Sequence, residues 1–187
     1  MKTIKFMIMK KNLLPLLFAF AIIFASEATA QKFSGLDKSP ADIAAFPSSY
    51  KIADKAVKVT YSRPQLKGRS MSELAPAGKV WRTGANEAAE ITFYKDVTFG
   101  GKSVKAGTYS LFTIPGSSEW TVILNNNLNQ WGAYSYDNAA DVVRVSSRAS
   151  TDDESLEAFS VAFKEVEGGT HLVMGWGTTR VATPIMM

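Results

Sequence analysis

Cysteine is absent from the 187-residue sequence, and histidine occurs once, as His171. Without cysteine the chain can form neither a disulfide framework nor a lipidated N-terminal cysteine. A transition metal needs three or four N, S or O ligands, and this composition leaves almost only carboxylates to supply them. The sequence therefore predicts no metal centre and no cofactor, and it predicts a fold that packing alone must stabilise.

Motifs that mark a catalytic or nucleotide-binding site are also missing. The sequence contains no G-x-S-x-G elbow, no phosphate-binding loop and no calcium loop. The stretch GWGTTR, residues 175–180, begins like a dinucleotide fingerprint but lacks the third glycine. We interpret it as a strand with a β-bulge or a close backbone approach, and His171 as a surface residue of a hairpin.

Positive and negative side chains nearly balance beyond the N-terminal region. Residues 31–187 contain 17 Lys and Arg against 16 Asp and Glu, and no basic run occurs among them. This balance argues against a nucleic-acid partner. No apolar run after residue 30 is long enough to span a membrane, so we expect no membrane span there.

Residues 1–30 have the three parts of a secretory signal peptide. Lysines 2, 5, 10 and 11 precede an apolar run over residues 13–25, and Ala28-Thr29-Ala30 follows it. A membrane anchor is the alternative, but this run is short and interrupted by Pro15. We expect cleavage after Ala30 and export to the periplasm or the cell exterior.

A hydrophobic period of two begins after residue 55 and predicts β-strands. In VKVTYS, residues 57–62, apolar and polar side chains alternate, as expected for a strand with one wet face. Gly-Gly, Pro-Gly and Asn-rich turns separate the later candidates. These candidates cover residues 80–83, 90–95, 97–99, 108–114, 120–124, 142–145, 159–166 and 171–176.

The predicted domain is an all-β, antiparallel β-sandwich over residues 56–187. TYSLFTI and WTVIL are apolar on both faces, which is typical of central strands covered on both sides. A jelly-roll-like arrangement and a small barrel remain alternatives. Residues 31–55 are expected to form a lead-in with a short helix, because Ser39-Pro40-Ala41-Asp42 is typical of a helix start.

Three segments combine aromatic rings with planar polar groups, which suits binding of a carbohydrate or a peptide. They are YSRPQLKGRS, KVWRTGANEA and NQWGAYSYD. Loops at the ends of β-strands are where binding residues collect. The candidate ligand-binding residues in these segments are Arg63, Arg69, Trp81, Arg82, Asn86, Trp131 and Tyr134.

A structural role is the alternative for each of these residues. In an extended segment Trp81 and Arg82 point to opposite faces, which favours Trp81 in the core and Arg82 bonded to a carboxylate or to loop carbonyls. Arg63 shares the parity of the apolar residues of its strand and needs a partner. We expect Arg63 or Arg82 to pair with a glutamate, namely Glu73, Glu87 or Glu90.

Six ordered blocks of the sequence also resemble one family. They are YSRPQLKGR, GKVWRTGANEA, GGKSVKAGTYSLFTIPG, EWTVILN, NQWGAYSY and TRVATPI. Together they resemble an exported bacterial family catalogued as domain of unknown function 2911, from about residue 36 to residue 187. The resemblance implies an exported single-domain protein and supplies no activity, cofactor or catalytic residue.

Three functions fit these observations. The first is a non-enzymatic, exported β-sandwich that binds a ligand at the cell envelope through the residues named above. The second is a hydrolase of envelope carbohydrate, which would use two carboxylates from among Glu73, Glu87, Glu90 and Asp96. The third is a structural or assembly partner with an exposed edge strand.

Overall fold

The computed structural model describes residues 31–187. Residues 37–187 form one compact unit, and the described part of the other unit, residues 31–36, contains no strand or helix. The predicted signal peptide, residues 1–30, lies outside the described residues. Within residues 31–187 no helix is long and apolar enough to cross a membrane.

The described chain is nearly all β, as the sequence predicts. Two short helices interrupt the strands: α1, Met71–Leu74, and a 3-10 helix, Asn138–Ala140. The nine strands are β1 Ala41–Phe46, β2 Val57–Ser62, β3 Ala89–Phe93, β4 Val97–Phe99, β5 Lys102–Val104, β6 Gly107–Ile114, β7 Glu119–Asn125, β8 Asp141–Val166 and β9 Gly169–Met186.

The strands form one antiparallel sheet in the order β1-β2-β3-β6-β7-β8-β9-β4-β5. β1 and β5 are its two edges, so the sheet is not closed into the barrel that was one alternative. The long strand β8 pairs with β7 up to Arg148 and with β9 from Ala149 onward. Its register shifts between Thr151 and Leu156 and again between Leu156 and Ser160, opposite residues 175–179 of β9. The stretch GWGTTR is thus part of a strand as predicted, but the extra residues of the irregularity lie on β8.

The two halves of this sheet share one core. Val57, Val59 and Tyr61 on β2 are buried, as their alternation predicts. The ring of Tyr61 meets that of Phe159 on β8 edge to face at 5.7 Å, and its hydroxyl accepts a hydrogen bond of 3.0 Å from the amide of Val161. The half that begins with β1 and β2 therefore packs face to face on the half built from β8 and β9.

Strands β6 and β7 are covered on both faces, which explains their continuous apolar runs. Leu111 and Leu124 belong to the main core. Phe112 and Ile123 point the other way and form a second, smaller cluster with Ala88. The loop that follows β7 covers this cluster, and this places the loop on the outer face of the sheet.

The short helix predicted near Ser39 and Pro40 is wrong. Residues 41–46 form strand β1 instead, and every residue of β1 pairs with β2 in antiparallel register. Ala44 and Phe46 pack against the core, a tertiary contact that outweighs the local helix-start signal. The strand predicted over residues 80–83 also shortens to a single bridge between Trp81 and Thr113.

Trp81 lies at the centre of an aromatic cluster in the core. Its indole stacks on that of Trp176 with ring centroids 5.5 Å apart, and meets the rings of Phe159 and Trp120 edge to face at 5.0 and 6.2 Å. Only 6% of Trp81 is exposed. Its main-chain amide and carbonyl both bond to Thr113 of β6, at 2.7 and 2.9 Å, so the segment is held by main-chain pairing as well as by the packed ring.

Replacing Trp81 is expected to destabilise the fold strongly, whereas replacing its neighbour is not. Trp81→Ala leaves a large cavity among packed rings and should lower the free energy of unfolding by about 3 to 5 kcal/mol. Arg82 makes one long hydrogen bond, 3.4 Å from its Nε to the carbonyl of Gly84, and Arg82→Ala should cost less than about 1 kcal/mol. Urea unfolding of both variants checks this, and equal losses would contradict the assignment.

Candidate functional site

A groove on the outer face of the sheet collects several candidate residues. Its cavity volume is about 410 Å³, and we call it the Trp131 groove. Its walls come from strands β2 and β3, the first residue of β1, the segment before β3 and the loop after β7. It is lined by Ala41, Thr60, Tyr61, Ser62, Glu87, Ala88, Glu90, Asn129 and Trp131.

Trp131 is 61% exposed but is held in place by its backbone. It forms an antiparallel bridge with Glu87, flanked by two hydrogen bonds: the amide of Ala88 donates to Gln130 at 2.8 Å, and that of Gly132 donates to Asn86 at 3.0 Å. In such a pair Glu87 and Trp131 are the non-hydrogen-bonded partners, whose side chains stand closest together on one side. The ring and the carboxylate therefore form one continuous wall.

Glu90 supplies a second carboxylate to the groove. Its neighbours Ala89 and Ile91 point into the core, so the alternation of β3 turns Glu90 outward, where Thr60 of β2 lies opposite. The Oε1 atom of Glu90 accepts a hydrogen bond of 2.9 Å from the amide of Asn129. The groove thus combines an exposed indole with carboxylate, amide and hydroxyl groups. Among the described residues no group of three or more acidic or imidazole side chains could hold a metal ion.

The loop that carries Trp131 is fixed at its far end by a polar cluster. The hydroxyl of Tyr136 donates to Asp141 at 2.5 Å, and Arg144 donates to Asp141 at 2.7 Å and to the Tyr136 hydroxyl at 2.8 Å. The amide of Asn125 donates to the Asp137 carbonyl at 2.9 Å. Burial, followed by the bond to Asp141, raises the pKa of Tyr136 to about 12.

Arg82 and Tyr134 lie at a second, smaller groove of about 260 Å³. Tyr134 is 83% exposed and belongs to the same loop as Trp131, but it does not line the Trp131 groove. Gly132 lies between the two aromatic residues at φ 68°, and a Cβ atom there would lie 2.7 Å from Tyr134. Trp81 reaches this smaller groove from the core, in the buried position that its structural role predicts.

The prediction that Arg63 or Arg82 pairs with a glutamate is wrong: Arg63 pairs with Asp42 at 3.1 Å, and within residues 31–187 Arg82 forms no ion pair. Its guanidinium also donates to the carbonyl of Phe159 at 3.1 Å and to the hydroxyl of Ser160 at 2.7 Å. Asp42 lies on β1, whose pairing with β2 brings the carboxylate to this corner. The sequence instead suggested Asp42 as an acidic residue in the first turn of a helix, and this assignment gave no reason to expect it beside Arg63.

The remaining candidates have local contacts. Arg69 donates to the carbonyls of Leu66 and Gln65 at 3.0 and 2.9 Å, which fixes a turn. The main-chain carbonyl of Asn86 accepts a hydrogen bond from the Gly132 amide and so supports the Trp131 loop.

The candidate carboxylates are divided between two local contacts and the groove. Glu73 forms a capping box with Ser70 at the start of α1. Asp96 pairs with Lys105 at 2.7 Å. Of the four candidate catalytic carboxylates, the Trp131 groove therefore contains Glu87 and Glu90.

The polar residues of β2 and the loop amide in the groove were not predicted from the sequence. Thr60 and Ser62 occupy the wet face of the strand predicted in VKVTYS, but the alternation does not show which wet face borders a groove. Asn129, at φ 57°, lies in the turn that presents Trp131. A larger depression of about 530 Å³ beside Phe46 and Tyr94 contains none of the candidate residues.

Comparison with known proteins gives one result. A family model described as "Protein of unknown function (DUF2911)" matches residues 41–185. None of the curated proteins matches the chain, and neither does any of the solved structures. The match covers all nine strands apart from the last residue of β9, so it includes every residue of the Trp131 groove.

The raised pKa of Tyr136 predicts a loss of stability at high pH. Its value in the folded protein, about 12, exceeds the ordinary value of 10.0, so the stabilisation is complete below about pH 10 and is lost as the pH rises toward about 12. Because the residue is partly exposed, we expect a loss of about 1 kcal/mol. Urea unfolding at increasing pH should show a steeper decline for the parent than for Tyr136→Phe, and equal slopes would contradict this.

Proposed function

The chain belongs to the family described as "Protein of unknown function (DUF2911)", and because that description names no activity, we propose a function from the Trp131 groove itself. The protein is a non-enzymatic binding protein that takes a carbohydrate ligand in this groove. The observation that carries the proposal is the exposed Trp131 ring, held by paired backbone beside carboxylate, amide and hydroxyl groups.

The chemistry of the groove suits a sugar. One face of a pyranose ring carries mainly C–H groups, which pack on an indole face, while its hydroxyls need hydrogen-bond partners. Glu87 and Glu90 accept such bonds, and Asn129, Thr60 and Ser62 supply further polar groups. A cavity of about 410 Å³ has the volume of a small-ligand site.

The rigidity of the wall supports binding in a second way. Three of the four tryptophans, Trp81, Trp120 and Trp176, are buried, whereas Trp131 is exposed yet bridged to Glu87. A ring whose backbone is already ordered loses little conformational freedom when a ligand covers it. Ligand binding therefore does not have to offset the entropy cost of ordering the loop that carries Trp131.

We place this activity at the cell envelope. Residues 1–30 have the pattern of a cleavable signal peptide, and the chain lacks the cysteine that lipidation would need. Export to the periplasm or the cell exterior would bring the groove into contact with envelope carbohydrate.

Hydrolysis of envelope carbohydrate is a second candidate, favoured by the presence of both Glu87 and Glu90 in one groove. Glycosidases use two carboxyl groups that flank the scissile bond. Release of reducing ends from cell-wall glycan by the purified protein, abolished in Glu90→Gln, would establish this activity. Binding without any release of reducing ends would leave the non-enzymatic function.

Trp131→Ala should weaken carbohydrate binding at least tenfold, which corresponds to about 1.4 kcal/mol. The probes are the tetrasaccharides of glucose, N-acetylglucosamine and glucosamine, measured by calorimetry. Tyr134→Ala is the matched control, because this exposed ring of the same loop lies outside the groove and its loss should leave binding unchanged. Absence of binding by the parent to all three probes at millimolar concentration would refute the proposed function.

Quenching by the neutral molecule acrylamide supplies an independent measurement on the parent protein. Because Trp131 is the exposed indole among the four, acrylamide should quench mainly its fluorescence, and a bound sugar should protect it. Calorimetric binding without such protection would place the ligand elsewhere.

A further inference from the structure

The Trp131 groove carries negative charge that the protein does not neutralise. Within the described chain its lining contains Glu87 and Glu90 and no lysine or arginine. No cation of residues 31–187 lies within 4.0 Å of either carboxylate. The hydrogen bond that Glu90 accepts comes from the neutral amide of Asn129, and it engages Oε1.

Basic side chains on the neighbouring strand are engaged elsewhere. Lys58 shares the outward face of β2 with Thr60, but its Nζ lies over the ring of Tyr94, 6.0 Å from the centroid. Arg63 is bound to Asp42, Phe159 and Ser160. Both carboxylates of the groove therefore face the ligand space without a fixed counter-charge.

The indole of Trp131 adds a preference of the same sign. The face of an aromatic ring is negative, and among the aromatic side chains tryptophan attracts cations most strongly. Glu87 stands beside this ring as its bridge partner. A positive group between them would meet a carboxylate and a π face together, whereas an anionic group would be repelled by both.

We propose that the Trp131 groove selects sugars that carry a protonated amine, as non-acetylated amino sugars do, over neutral and acidic sugars. This inference rests on the proposed carbohydrate-binding function and names its ligand class. The ammonium group donates to Glu87 and to the second oxygen of Glu90, while the sugar ring packs on Trp131. Thr60 and Ser62 remain available for the ring hydroxyls.

The test compares three tetrasaccharides that share a pyranose ring and differ at one substituent: glucosamine, N-acetylglucosamine and glucose. Calorimetry is run with the purified parent protein at a mildly acidic pH, at which the amines of the glucosamine oligomer are protonated. The glucosamine oligomer should bind at least tenfold more tightly than the other two. Its advantage should shrink as salt is added, and also as the pH is raised until the amines lose their protons.

Charge-neutral variants locate the selectivity. Glu87→Gln and Glu90→Gln keep the shape of the side chain, and each should reduce the affinity for the glucosamine oligomer roughly fivefold to tenfold while leaving the affinity for the glucose oligomer within about twofold. Glu165→Gln is the matched control, since Glu165 is an exposed glutamate of β8 outside the groove and its loss changes the net charge equally. Urea unfolding confirms that each variant is folded.

The outcomes separate this inference from the proposed function. Equal affinities for the three oligomers, all lost in Trp131→Ala, would overturn the amine selectivity and leave carbohydrate binding intact. No binding of any oligomer would overturn both. Equal loss of affinity in Glu165→Gln would show a non-specific charge effect and would also overturn the selectivity. Tighter binding of a tetralysine peptide than of the glucosamine oligomer would assign the groove to peptide amines and refute the sugar class.

Discussion

The packing of Trp81 is the contact on which the rest of the molecule depends. Its indole lies against Trp176, Phe159 and Trp120, which belong to β9, β8 and β7. One side chain thus joins strands from both halves of the sheet. Such rings bury more apolar surface than any other side chains, so one of them at this junction stabilises both halves together.

The buried ring also determines where the groove forms. Trp81 bonds through its backbone to β6, and the chain then runs directly toward the start of β3, passing Glu87 on the way. The loop after β7 pairs with that passing segment, and Trp131 is set by this pairing. The wall of the groove is therefore a continuation of hydrogen bonding that starts from the core, and the core residues Tyr61 and Ala88 also line the groove.

Strand positions with a strong alternation could be predicted from the sequence, and so could the burial of Trp81. β2 and β4 begin and end at the predicted residues, because each alternates cleanly and is bounded by turn residues. β1 could not be predicted: an edge strand with a weak pattern depends on tertiary pairing, and Ser39-Pro40 favours a helix locally. The misplacement of β1 also hid Asp42, and with it the ion pair of Arg63.

Only some residues of the groove could be predicted from the sequence, because the groove depends on pairing between distant segments. Trp131, Glu87 and Glu90 stood out as residue types, but their proximity depends on one bridge between segments more than forty residues apart. The alternation of β2 shows that Thr60 and Ser62 face outward, and it cannot show that a loop from beyond β7 folds over them. Groove formation is a property of the pairing, which local sequence does not encode.

The bridge between Glu87 and Trp131 has a consequence for how such a protein can diversify. Its hydrogen bonds connect main-chain atoms of the flanking residues, so the frame does not require any particular side chain at positions 87 and 131. The indole of Trp131 and the carboxylate of Glu87 can therefore be replaced by other side chains while the main-chain bridge is kept. Exchanging them would alter what the groove accepts while the nine-stranded scaffold stays as it is, so new specificity could evolve here without a loss of foldability.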